Sequence, residues 1–375
     1  MQRSGFALAK LCHLLGAEVK VSETAAPEKM TDELRRWLSA YKISAEFNGH
    51  TRAFVGGNDI LLLSPGVSVH SEIVQQAKAE GTLVLGEIEF AYQFISIPVI
   101  TVTGSNGKTT VSTLIHEVLK KAGKASALKG NIGQPFSEYV YERIQNKNAA
   151  SSDEYVVLEI SSFQLESLYD QDGAGRKPPF VVKGFKPYIA VLLNFSQNHL
   201  DRHQDLEEYF QAKTKIFKNQ TKDDFAVVNG ADVRLRAMGN ELAAQTVFFN
   251  NIDDFQKAER KNPNHLAVME VARILNIPVS LCQEVFADFK GVEHRMEWIR
   301  QLHGVDYIND SKSTTAEASQ WALQSLNQPI LMICGGRDKN IDYSVLCSLV
   351  QQKVKKTFYI RRSEREDFKS FSGCC

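Results

Sequence analysis

Val99-Ile-Thr-Val-Thr-Gly-Ser-Asn-Gly-Lys-Thr-Thr110 is the stretch that decides how this chain reads. An apolar, β-branched run ends in a glycine-bearing turn, which carries a lysine and two threonines into a helical pattern. A strand–turn–helix of this kind holds the phosphates of a nucleoside triphosphate. Backbone N–H groups and the helix N-terminus meet the anion, Lys108 adds a point charge, and Thr109 reaches Mg²⁺. Gly104, Ser105, Asn106, Gly107 and Thr110 make up the rest of the turn. The strict G-x-x-x-x-G-K-[ST] spacing is not met, because Val102 stands where its first glycine belongs. Taken alone, the stretch also fits an ordinary strand–turn–helix with a surface lysine.

Working outward, strand-like and helix-like segments alternate along the whole chain. Residues 60–63, 82–85, 155–159, 189–193 and 330–333 form short, continuously apolar runs like that at 99–103. Such runs predict strands buried on both faces, as in a parallel sheet covered by helices. Helical patterns at 108–122, 206–219 and 266–275 fall between them. Repeated βα units predict an α/β fold with ligands at the C-terminal ends of the strands. Three blocks follow: 1–97, ending at Ile97-Pro98; 98–291, opened by the phosphate-loop strand; and 292–375. Residues 145–153 and 171–179 read as surface loops of the second block.

The bulk composition narrows the partners. The 375 residues carry 44 Lys+Arg and 44 Asp+Glu, so nothing marks a polyanion-binding surface, and nucleic acid is not expected. Cysteines 12, 282, 334, 347, 374 and 375 lack C-x-x-C spacing and read as reduced thiols of a cytoplasmic protein. No run approaches the ~18 apolar residues of a membrane span.

Two further clusters end predicted strands. Glu159 closes Tyr-Val-Val-Leu-Glu159, and an acid ending a strand beside a phosphate loop is the expected Mg²⁺ partner. Asn194-Phe-Ser-Gln-Asn-His-Leu-Asp-Arg-His203 follows the run at 189–193, and its His199 and Asp201 have the chemistry to ligate or orient a divalent cation. Both clusters also fit loop caps and surface charges. Lys213 shares a helical face with Phe210 and Phe217, where a lysine normally lies at the solvated edge. In the third block, His294-Arg295, Asn309-Asp-Ser-Lys-Ser-Thr314 and Gly335-Gly-Arg-Asp-Lys339 adjoin predicted strand ends and suit a substrate bearing phosphate and carboxylate.

With these residues in hand, the chain resembles the Mur ligases, and within them the branch that adds D-glutamate. The motifs stand in family order: Ser64-Pro-Gly-Val67, Thr103-Gly-Ser-Asn-Gly-Lys-Thr-Thr110, Asn131-Ile-Gly133, Leu158-Glu-Ile-Ser-Ser-Phe-Gln-Leu-Glu166, Asn198-His-Leu-Asp-Arg-His203, Ala212-Lys213, His294-Arg295, Asn309-Asp-Ser-Lys312 and Gly335-Gly-Arg-Asp-Lys339. The resemblance implies a three-domain α/β architecture: a Rossmann-like N-terminal domain for UDP, a P-loop central ATPase domain, and a Rossmann-like C-terminal domain for the amino acid. It implies an ADP-forming acid–amino-acid ligase that makes a peptidoglycan precursor through an acyl phosphate. ATP, UDP-N-acetylmuramoyl-L-alanine and D-glutamate are the implied substrates, Mg²⁺ at two sites the implied cofactor, and a monomer the implied state.

Carried over residue by residue, the resemblance gives the ATP phosphates to Lys108 and the amides around it. The first metal goes to Thr109 and Glu159. His199 falls on the second-metal ligand, and Lys213 on a lysine that the family carbamylates to support that metal. Thr24, Ser64, Gly66, Asn131, Ser161 and Gln164 match positions for the UDP-linked substrate. Arg295, Asp310 and Lys312 match nucleotide contacts of the third domain, and Thr314 and Lys339 match D-glutamate contacts.

The chain departs from the family at both ends. Of the opening glycine fingerprint only Ser4-Gly5 remains, with no strand ahead of it, and the later C-terminal serine and phenylalanine are not found. Glu23 replaces a common aspartate, and Asn264-His265 stands where His-Asn is usual near the adenine. These features predict a first domain without its first strand and an incomplete third domain, with a frameshift or assembly error as the preferred cause. The alternatives are a truncated, inactive homologue that still binds ATP or UDP-sugar, and a sibling ligase adding another amino acid.

Overall fold

Val99–Thr103 runs through the interior of a six-stranded sheet in which every neighbouring pair is parallel. The structure is a computed structural model and describes residues 3–146, 152–168, 181–198, 202–251, 262–336 and 343–360. The chain groups into two units, residues 1–193 with 211–287, and residues 194–210 with 288–375.

The first unit opens with α1 (Arg3–Leu14), β1 (Lys20–Ser22), α2 (Asp32–Ala40), β2 (Ser44–Glu46), α3 (Arg52–Val55), β3 (Ile60–Leu63), α4 (Glu72–Ala79), β4 (Leu83–Gly86) and α5 (Glu87–Tyr92). β1 pairs with β2 and β3 with β4, both parallel, as two separate two-stranded sheets. A small core of Ala9, Val21, Leu34 and Leu38 packs with Phe6 and Trp37. α1 lies against the later helix Phe136–Gln145, where Lys10 pairs with Glu138 at 2.6 Å.

The large sheet and its helices follow: β5 (Val99–Thr103), α6 (Lys108–Lys121), β6 (Ser126–Gly130), α7 (Phe136–Gln145), β7 (Tyr155–Glu159), α8 (Ser162–Glu166), β8 (Ile189–Leu192), α9 (Leu206–Thr214), β9 (Phe225–Asn229), α10 (Val233–Gly239), β10 (Gln245–Phe249), α11 (Pro263–Ile274) and α12 (Val279–Asp288). The strand order is β10-β9-β8-β5-β7-β6. All five residues of β5 are buried, as expected of a parallel strand covered on both faces. Burying Ile100 and its like stabilises the sheet by roughly 1.5–3 kcal/mol per large side chain. The helical pattern expected over 206–219 divides: α9 stops at Thr214, and a 3₁₀ turn takes Lys215–Phe217.

The second unit holds β11 (Glu297–Leu302) and β12 (Val305–Asn309), an antiparallel hairpin. His303 and Gly304 turn it with φ of 51° and 75°, the pair of positive values that a two-residue hairpin loop needs. α13 (Ala316–Ser325), β13 (Ile330–Gly335), α14 (Cys347–Lys353) and β14 (Val354–Ile360) complete it, with β13 and β14 parallel. Leu323, Leu346 and Val350 form its core against Ile330, Met332 and Val354. No helix among the described residues is long and apolar enough to cross a membrane.

Candidate active site

β5 ends at Thr103, and Gly104–Gly107 turn the chain into α6, whose first residue is Lys108. Gly107 is the helix N-cap at φ 82°, and a Cβ there would stand 2.7 Å from Asn264 Oδ1. The position therefore takes glycine for both its backbone angle and its close neighbour. The first-turn amides of α6 carry the partial positive charge of a helix N-terminus, which favours an anion.

Two lysines converge on one carbonyl of this turn. Lys108 Nζ donates to Gly104 O at 2.8 Å and to Ser105 O at 2.9 Å, and Lys213 Nζ donates to Gly104 O at 3.0 Å. Lys213 is 1% exposed, so it is not the solvated face residue that its helical pattern predicts. Burial, reinforced by the charge of Lys108, pulls its amine well below the ordinary lysine value. Such an amine is neutral far more readily than a surface lysine.

Glu159 ends β7 directly beside this turn, with Val102 of β5 in register against it. The carboxylate is 2% exposed. Oε1 accepts from Asn131 Nδ2 at 2.7 Å, and the Asn131 amide donates to Glu159 O at 2.8 Å. Gly130 lets the two strand ends meet: at φ 103° its Cβ would fall 2.4 Å from Glu159 O. Glu159 Oε2 and Thr103 Oγ1 are buried without a hydrogen-bond partner. Each such orphan oxygen costs about 1–3 kcal/mol unless something fills its need. A carboxylate oxygen and threonine hydroxyls are hard donors, and they fit Mg²⁺ with few protein ligands. Among the described residues no group of three or more His, Cys, Asp or Glu side chains could hold a metal ion. His199, Asp201 and Lys339 lie outside the described residues.

The residues expected near the UDP-linked substrate are disposed in two ways. Asn131 braces Glu159, as above, and so reaches that buried acid as well as the loop it sits in. Ser161 and Gln164 form a capping box at the start of α8. Ser161 Oγ accepts from Gln164 N at 3.3 Å, and Gln164 Oε1 accepts from the Ser161 amide at 3.0 Å. Gln164 is 4% exposed, so its amide oxygen serves the cap. Ser64 follows β3 and starts a turn closed by Val67 N to Ser64 O at 2.9 Å, leaving Gly66 exposed. Thr24 is exposed beyond β1, donating to Glu23 Oε1 at 3.3 Å.

In the second unit, Arg295, Asp310 and Lys312 gather around His294. Asp310 Oδ1 accepts from Met296 N at 3.0 Å, its Oδ2 from Ser313 Oγ at 2.5 Å, and Lys312 N donates to His294 O at 3.1 Å. Arg295 Nε is buried with no hydrogen-bond partner. Thr314 is exposed just before the N-cap of α13, Thr315. The expected adenine-side pair divides: Asn264 presses on Gly107, and His265 stacks on Phe286 with ring centres 3.9 Å apart.

A glycine turn and helix N-terminus at the C-terminal edge of a parallel sheet, with a buried acid on the next strand, define an α/β protein built to hold nucleotide phosphates. The Mur ligase middle domain matches residues 102–273. The UDP-N-acetylmuramoylalanine–D-glutamate ligase of Thermoanaerobacter sp. (strain X514) is 33% identical, over 97% of this chain and 82% of that protein. The ligase of the same name from Salinibacter ruber is 34% identical, over 99% and 84%. Among solved structures, MurF from Thermotoga maritima in complex with ADP is similar in fold, with a TM-score of 0.58 at 17% identity over 90% of this chain and 85% of that one. MurC from the same organism gives a TM-score of 0.52 at 16% identity, over 96% and 88%. The chain belongs to the Mur ligase family.

Proposed function

We propose that this protein is an ATP-dependent ligase that joins D-glutamate to UDP-N-acetylmuramoyl-L-alanine in peptidoglycan precursor synthesis. The observation that carries the reading is that Lys108 and Lys213 converge on Gly104 just past β5 while Glu159 ends the neighbouring strand, in a chain a third identical to ligases of that name along nearly its whole length.

A carboxylate is a poor acyl donor because oxide would have to leave. The alanyl carboxylate oxygen attacks the γ-phosphorus of ATP, the bond to the β-phosphate oxygen breaks, and ADP departs. The amine of D-glutamate then attacks the acyl carbon of the acyl phosphate, loses a proton, and inorganic phosphate leaves as the amide forms. The first step brings two anions together, and the α6 N-terminus and Lys108 are placed to offset that charge. Mg²⁺ bound by Thr109 and Glu159 would neutralise phosphate charge, with a second ion near His199. Asn131 holds Glu159 in orientation. The lowered basicity of Lys213 supports the carbamate reading, since only a neutral amine adds to CO₂. Ser161, with Ser64, Gly66 and Thr24, serves the UDP-linked substrate. Arg295, Asp310 and Lys312 serve the nucleotide, and Thr314 and Lys339 the amino acid. We retain the three-domain division at 97/98 and 291/292, a cytoplasmic location and a monomeric state as parts of this proposal.

The test is ADP release by the purified, folded chain. Release is expected only when UDP-N-acetylmuramoyl-L-alanine and D-glutamate are both present, with one amide formed per ADP. A folded chain that releases no ADP with both substrates, or that prefers another amino acid, overturns the reading.

A further inference from the structure

Glu87 opens α5 directly after β4, yet its side chain is only 2% exposed. Its Oε1 accepts from the Ser137 amide at 2.6 Å. Ser137 lies in the first turn of α7, a ten-residue helix whose N-cap is Pro135 and which has no side-chain cap of its own. A helix start leaves its first amides without acceptors, and proline offers none. Glu87 supplies that acceptor from fifty residues away. Burial outweighs the pull of the Ser137 amide and hydroxyl, and the smaller ones of Gln164 and Phe136, to push its pKa up. Glu87 Oε2 is buried and lacks a hydrogen-bond partner.

The segment Glu87 caps is one on which the site depends. The loop before α7 carries Asn131, which bonds Glu159, and Gly130 N donates to Gln134 O at 2.9 Å to close it. One buried carboxyl group therefore stands behind the loop that carries Asn131 and bonds neither the phosphate turn nor Glu159. A side chain needed for packing alone would be better apolar, because a buried polar group with an unused oxygen is a net burden.

We propose that Glu87 is a positioning residue: by capping α7 from another element, it fixes the 131–134 loop for the UDP-linked substrate. The proposal rests on the ligase reading above. Its test compares the wild-type full chain with Glu87→Ala and Glu87→Gln, measuring ADP-release kinetics, thermal midpoints and amide exchange over residues 131–137. Removing the acceptor in Glu87→Ala is expected to raise KM for UDP-N-acetylmuramoyl-L-alanine roughly tenfold, with KM for ATP changed by less than about twofold. Exchange over 131–137 should quicken in the same variant. Glu87→Gln keeps an oxygen for the Ser137 amide and should restore both readouts. Should Glu87→Ala not fold, Glu87→Asp, which withdraws the carboxyl group by one methylene, replaces it with the same expectations.

An unchanged KM for the UDP-linked substrate overturns the proposal. So does a uniform loss in every constant that merely tracks the thermal midpoint, or a Glu87→Gln as impaired as Glu87→Ala. If the wild type releases no ADP with both substrates, the ligase reading falls instead. The exchange comparison then decides alone: quickening in Glu87→Ala but not in Glu87→Gln upholds Glu87 as the brace of this loop, and no quickening removes it.

Discussion

β5 and β13 are nearly interchangeable as sequence, Val-Ile-Thr-Val-Thr against Ile-Leu-Met-Ile-Cys-Gly, and both run parallel to their neighbours. Their surroundings differ. Every residue of β5 is buried, with a strand on each side and helices over the sheet. Among the described residues β13 has one strand partner, and burial alternates along it: Met332 packs on the Leu323–Leu346–Val350 cluster, while Leu331 and Ile333 are 58% and 69% exposed. A continuous apolar run thus marks a strand of a parallel sheet but does not reveal how many of its faces are covered. The Gly104–Gly107 turn grows from the strand covered on both faces, where a fixed backbone is most strongly enforced.

The largest effect that would sharpen this contrast is expected at Lys108. Lys108→Ala removes the point charge from the phosphate turn and should lower ADP release about 10²–10³-fold with the fold intact, as judged by an unchanged urea midpoint. Activity within a few-fold of wild type would detach the turn from the chemistry. Next comes the strand beneath it. Ile100 is fully buried, and Ile100→Ala should cost about 2–5 kcal/mol in urea unfolding at constant slope.

How much of this was legible depended on the range of the contacts. The phosphate turn and Glu159 are local: each lies at the end of an apolar run, and register alone then places Val102 beside Glu159. Lys213 was not legible from its helix, since the positions around it fit a solvated lysine; only family resemblance singled it out, and burial then explains its basicity. That Asn131 holds Glu159 requires knowing that β6 pairs with β7, which no periodicity reports. The acceptor role of Glu87 is set fifty residues away, which no local pattern reports. β1 and β2 have three residues each and a single apolar side chain apiece, too little for a strand signal.

Lys213 gives an intermediate test. Its folded-state pKa is lowered from 10.5, so the unfolded chain binds the proton more readily than the folded one. Stability on this account falls as pH drops from the ordinary lysine range toward the lowered value and levels off below it. Lys213→Met, similar in length and apolar, removes that slope. Its stability advantage over wild type, followed by urea unfolding across pH, should therefore grow toward lower pH. Its ADP release should fall about 10²-fold, the scale seen when support for a bound metal is lost. A variant that gains no stability would mean that the buried amine carries no such burden.

The smallest expected effect tests the other side of the contrast. Ile333 pairs across the sheet with Phe358, and together with Leu331 and Ile360 they form an outward face, Phe358 and Ile360 being 44% and 63% exposed. Ile333→Thr keeps the β-branch, so strand preference is largely preserved and only apolar surface is exchanged. On an uncovered face the change in unfolding free energy should stay within about 0.5 kcal/mol. Met332→Thr, one residue away on the covered face, should cost more, because it places a hydroxyl among Leu323, Leu346 and Val350. A loss of about 2 kcal/mol or more at Ile333 would require that face to be covered in solution too. β13 would then be a strand of the same kind as β5, and the difference between the two regions would lie in what covers them rather than in whether they are covered.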